Sequence, residues 1–153
     1  MVRRLASVLA TATDALTGLH DLSAAILGAT PYQIGKTAAN TTAETALGIG
    51  AGVCQDHANI FVAAVRVAGL PARYVSGYLM MNDRIDQDAS HAWAEAHVPD
   101  LGWVGFDISN GYAPDERYAR IAVGRDSADA APISGMRMGS AGESLIVSLQ
   151  VQQ

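Results

Sequence analysis

Apolar residues recur along this chain with two different periods. In the first part Leu5, Val8, Leu9, Ala12, Leu16 and Leu19 fall on one helical stripe, which predicts helix over residues 3 to 27 with a break near Gly18. Residues 28 to 40 are punctuated by Gly, Pro and Thr and are predicted to be a loop. Thr41 or Thr42 is placed to cap a short helix ending at Leu47. Cys54, Ala58, Phe61 and Val65 then share one face of a helix over residues 54 to 68, which Gly69 and Pro71 stop.

Beyond Pro71 the period is two. Strands are predicted over residues 73 to 80, 90 to 98, 102 to 108, 118 to 123 and 143 to 151, with a loop over 124 to 142. The turn at residues 99 to 102 makes the second and third strands a hairpin. Helices first and strands second indicate an α+β fold with a mostly antiparallel sheet. The expected organisation is one domain over residues 1 to 153: helices in 1 to 47, the cysteine helix at 54 to 68, and the sheet in 72 to 151.

Composition narrows the function. A net charge of −5, with no cluster of Lys or Arg, argues against a nucleic-acid partner. No apolar run approaches the roughly 20 residues that span a bilayer, so no membrane partner is expected. Met1-Val2-Arg3-Arg4 before an apolar stretch has the look of a short signal sequence, but the helical stripe favours an amphipathic helix. That Ala- and Leu-rich helix offers a contact for a homo-oligomer. The lone cysteine excludes an internal disulfide framework and suits a reducing, cytoplasmic setting.

The same cysteine is the first candidate for chemistry. Gly50-Ala51-Gly52-Val53 runs into Cys54 at a helix N-terminus, where unpaired N–H groups favour a thiolate and the Cys54 N–H is free to donate to an oxyanion. The glycines leave room for a carbonyl substrate to approach the backbone. In the hairpin, His91, Trp93, Glu95 and His97 share one face with Trp103, Gly105 and Asp107, because the alternate positions are apolar and match. If Val98 opposes Gly102, Trp93 opposes Asp107 and His91 lies diagonal to it; a turn two residues tighter sets His91 directly opposite. In either register the two Cβ atoms fall within about 8 Å, close enough for a His–Asp hydrogen bond. Such a pair takes the thiol proton, returns it to a leaving amine, and stabilises the imidazolium between.

Gly-Val-Cys-x-Asp-x-Ala, His-Ala-Trp-x-Glu and Gly-Trp-x-x-Phe-Asp, in that order over residues 50 to 108, resemble the transglutaminase-like superfamily of thiol enzymes. The resemblance implies a papain-like core with the cysteine on a central helix packed against an antiparallel sheet. It implies Cys54 as nucleophile, His91 as general base and acid, Asp107 as the residue that orients the imidazole, and Trp93 and Trp103 around the site. A second oxyanion donor upstream of the cysteine falls to Tyr32 or Gln33.

Other signals are weaker. Gly35-Lys36-Thr37 lacks the earlier glycine and lead-in strand of a phosphate loop. Cys54, His57, His91 and His97 do not form the two local pairs of a structural zinc site, and no cofactor is expected. Asn82, Asp83, Asp86 and Asp88 lack the pattern of a calcium loop and form a solvated rim. Asp56 is expected to cap the cysteine helix, and His57 to pack or face solvent. The expected activity is thiol-dependent acyl transfer on a peptide, isopeptide or glutamine-type amide, most readily hydrolysis. Glutamine–lysine cross-linking, and a catalytically silent domain that binds peptides or proteins, are the alternatives.

Overall fold

The computed structural model describes residues 1–80, 86–87, 90–132 and 149–150. Four helices come first among them: α1 (Val2–Thr11), α2 (Ala15–Ala29), α3 (Ala43–Ile49) and α4 (Cys54–Val67). Strands β1 (Ala72–Leu79), β2 (Asp86–Gln87), β3 (His91–Val98), β4 (Gly102–Phe106), β5 (Tyr118–Gly124) and β6 (Leu149–Gln150) follow. The main sheet runs β4-β3-β1-β5, antiparallel throughout, and β2 pairs with β6. The fold is α+β, as the order of periods predicts.

The predicted break near Gly18 lies earlier, between α1 and α2. Asp14 is the reason: its Oδ1 accepts from Thr17 N at 2.9 Å, which caps α2 and forces the residue before it out of helix. Gly18 instead sits inside α2 and lets α1 approach, since a Cβ there would lie 2.8 Å from Ala12 Cβ. Thr42 caps α3 through Thr45 N, and the cysteine helix stops where Gly69 takes φ +89.

The core forms where α4 crosses the sheet. Ala58, Phe61 and Val65 of α4 are fully buried against the small even-numbered residues Ala92, Ala94 and Ala96 of β3. Those three alanines allow close approach of helix to sheet. Phe61 stacks on Phe106 with centroids 5.1 Å apart, and His20 meets the same Phe106 ring edge-on, also at 5.1 Å. Leu19, Leu22 and Ile26 of α2 close the far side. The strand predicted over residues 143 to 151 lies mostly outside the described residues, as do Asn82, Asp83 and Asp88 of the acidic loop.

Candidate active site

Cys54 is the first residue of α4, so its N–H has no helical acceptor, and no partner for it is found among the described residues. The first bond back along the helix is His57 N to Val53 O, 3.0 Å. Asp56 holds the turn: its Oδ2 accepts from Val53 N at 2.9 Å and from Thr37 Oγ1 at 2.6 Å. This is the expected cap. The glycines before Cys54 turn out to serve the chain itself. Gly50 closes α3 in the left-handed conformation, φ 72, and a Cβ on Gly52 would lie 2.8 Å from Asp56 Cβ.

His91 and Asp107 come from the hairpin. Its register is Val98 opposite Gly102, which sets Trp93 level with Asp107 and His91 diagonal to it. Asp107 itself has left the strand predicted to reach Ile108. Its N–H goes to Tyr112 O at 3.0 Å, and its carbonyl accepts from Gly111 N at 2.8 Å. That tight loop frees the side chain to turn toward β3. His91 Nε2–H donates to Asp107 Oδ2 at 2.6 Å. The Cys54 thiol, at the start of the helix that packs on β3, is near enough to act on the same imidazole. His91 is about one-seventh exposed and Asp107 fully buried.

Two further residues hold the carboxylate. Asp107 Oδ2 also accepts from Asn110 Nδ2 at 2.7 Å and from Tyr118 Oη at 2.6 Å, while Oδ1 accepts from Asn110 N at 3.2 Å. Asn110, three residues after Asp107, carries a local signal, an Asx-type turn, that reading the strand through to Ile108 hides. Tyr118 carries none, because it opens β5, two strands away from β3.

Burial alone would draw the His91 imidazole down. The hydrogen bond to Asp107, then the nearby Cys54 sulfur, outweighs it and holds the ring proton up to about 9. Burial pushes Asp107 up, but His91, Tyr118 and Asn110 together hold it below its ordinary value. A pH dependence of folding follows. The stability from His91 is fully present below 6.5, its unfolded value, and is lost as pH rises toward about 9. His57 is shifted the other way, downward, mainly by burial, so folding is penalised as pH falls below 6.5. Asp107 adds to that acid-side loss once pH drops through its lowered value. Melting temperature against pH should therefore peak near 6.5. His91→Gln should flatten the alkaline limb and weaken the Asp107 share of the acid limb; an unaltered alkaline limb in that variant would refute the assignment.

The remaining predicted residues are spread more widely. Trp93 is buried beside the His91–Asp107 pair, 6.4 Å from the His91 ring and 5.4 Å from Tyr118. Trp103 is not brought to the site. It lies opposite His97 near the hairpin turn, half exposed, with the Arg73 guanidinium 4.1 Å above its ring. Four residues of strand, about 13 Å, separate it from Asp107. Tyr32 and Gln33 run beside the loop that leads into Cys54: Gly52 N donates to Pro31 O at 3.2 Å, and Gln33 N to Gly52 O at 2.8 Å. The Gln33 N–H is thus already used. Burial, then the nearness of Cys54 and Asp107, raises the Tyr32 phenol above its ordinary value.

The sequence pattern of the Transglutaminase-like superfamily matches residues 3–108. The chain belongs to the transglutaminase-like superfamily. It is similar to an uncharacterised protein of Mycobacterium tuberculosis, 39% identical over an aligned length of 128 residues, with 77% of this chain and 41% of the relative covered. The chain thus spans less than half the length of this superfamily relative. A protein-glutamine gamma-glutamyltransferase of Pseudomonas aeruginosa is 35% identical over 98 residues, 56% of this chain and 14% of that one. Among solved structures of the superfamily's fold, a candidate cysteine protease from Cytophaga hutchinsonii superposes with a TM-score of 0.79. It is 27% identical, with 99% of this chain and 51% of that one covered.

Proposed function

We propose that the chain catalyses acyl transfer from amide bonds through Cys54, His91 and Asp107, with water as the acceptor. The observation that carries this reading is the His91–Asp107 hydrogen bond of 2.6 Å, on a strand packed against the helix that begins with the only thiol in the sequence. An imidazole that keeps its proton up to about 9 is a cation at neutral pH and has a proton to give to a leaving nitrogen.

The thiolate attacks the amide carbonyl carbon, and the resulting oxyanion receives the Cys54 N–H. Tyr32, whose phenol keeps its proton, is the second donor in this proposal. The imidazolium gives its proton to the leaving nitrogen, the C–N bond breaks, and an amine departs from a thioester. The now neutral imidazole takes a proton from water, hydroxide adds to the thioester, and the acid leaves with the thiolate restored. A lysine amine in place of water gives an isopeptide by the same steps. The name of the Pseudomonas relative favours keeping this second reading. The substrate proposed is a peptide, isopeptide or glutamine-side-chain amide.

The test is the rate of Cys54 alkylation by iodoacetamide against pH, beside turnover of peptide and glutamine amides. The expected rate is high well below pH 7, with turnover abolished in Cys54→Ala. A rate that rises only near the free-thiol value of about 8.5 would sink the proposal.

A further inference from the structure

His57 lies outside the proposed triad, and its surroundings give it a part in the site. Its ring is fully buried. Nε2–H donates to Thr30 O at 2.6 Å, which fixes the tautomer, because a carbonyl only accepts. Nδ1 of that neutral ring is then an acceptor, and the Ser109 hydroxyl donates to it at 2.8 Å. Both nitrogens are satisfied with no water or free lone pair.

The identity of these partners matters more than their number. Ser109 is two residues after Asp107, in the tight loop that turns the carboxylate toward His91. Thr30 caps the end of α2, two residues before Tyr32, and the Tyr32 ring meets the His57 ring edge-on at 6.1 Å. His57 itself is one helical turn after Cys54. One buried ring thus touches the carboxylate loop and the Tyr32 segment from the helix that carries the thiol.

We propose that His57 is a positioning residue that sets the spacing of Cys54, Asp107 and Tyr32 by tying their three segments together. The inference rests on the catalytic reading above and adds to it what holds the parts in register. Reactions of this type tolerate little displacement: a misplacement of about 1 Å costs about 100-fold in rate. The hydrogen-bond pattern needs the neutral ring. Burial lowers the affinity of His57 for a second proton, whereas the Thr30 carbonyl and the charges of Asp56 and Asp107 favour one.

The experiment compares wild type, His57→Leu, His57→Gln and Ser109→Ala for iodoacetamide alkylation from about pH 5 to about pH 9, a span that brackets a perturbed and an ordinary thiol. Thermal melts define the temperature at which each variant is folded. His57→Leu should lose between about 10-fold and about 100-fold of the rate below pH 7 while still folded. Ser109→Ala, which leaves the buried ring in place, should lose about 10-fold, and it carries the test if His57→Leu does not fold. His57→Gln, with a donor and an acceptor at its end, should recover most of the rate. Folded His57→Leu or Ser109→Ala with the wild-type rate profile would overturn the proposal and leave the triad intact. A wild type without reactivity below pH 7 would instead remove the triad reading, and this inference with it.

Discussion

Asp107→Asn should slow alkylation of Cys54 below pH 7 by at least about 100-fold, the effect expected when a buried general base loses its orienting charge. Asp107 Oδ2 accepts from His91, Asn110 and Tyr118 at 2.6 to 2.7 Å. An amide oxygen can receive those donors but brings no negative charge to a buried place. Burial, the largest influence on the His91 ring, would then act with less opposition, and the ring would release its proton far below 9. At neutral pH the imidazole would be uncharged beside the sulfur. Two measurements check this: the alkylation profile, and an NMR titration of the His91 ring. A His91 midpoint still near 9 in Asp107→Asn would show that the thiol, and not the carboxylate, holds the proton there.

How the site reads from sequence depends on the distance over which each residue acts. The hairpin register was legible because the face that Ala92, Ala94 and Ala96 bury admits only one parity, and parity alone carries His91 and Asp107 to the same side. Cys54 was legible because helix starts are local. The Asp14 cap was equally local, yet Gly18 drew the expected break, since a glycine punctuates equally whether it ends a helix or admits a neighbour. Trp103 followed from motif likeness, although the same register sets it opposite His97 and away from Asp107. Tyr118 and the two bonds of His57 had no local sign. Tyr118 reaches Asp107 only because β5 joins the far side of β1. The partners of His57 are 27 and 52 residues away along the chain. Long-range donors to a buried acid are set by sheet order, which local periodicity does not encode.

Gly77→Ala should be the most damaging single methyl in the sheet. Gly77 stands on β1 opposite His91, where the pairing of β1 with β5 shifts register between Ser76 and Gly77. The irregularity brings the carbonyl of Ala119 into the space a Cβ would occupy, and Trp93 Cη2 would lie 2.9 Å from that atom. Neither neighbour can yield cheaply. Ala119 is backbone in a paired strand, and Trp93 is buried between His91 and Tyr118. The bare α-carbon is what lets Trp93 cross β1 to meet Tyr118 at 5.4 Å, and the Tyr118 hydroxyl in turn reaches Asp107. Overpacking of this kind costs about 3 kcal/mol, which for a domain of this size lowers the melting temperature by about 10 °C. Gly48→Ala, in α3 with nothing within 4 Å of the added methyl, is the control and should stabilise by about 0.5 kcal/mol. The alanine at 77 should also depress alkylation of Cys54 below the melt, because moving β5 withdraws a donor from Asp107. Melts of the two variants within about 2 °C of each other would mean that β5 relaxes around the methyl at little cost, and that the Trp93–Tyr118 contact does not depend on this glycine.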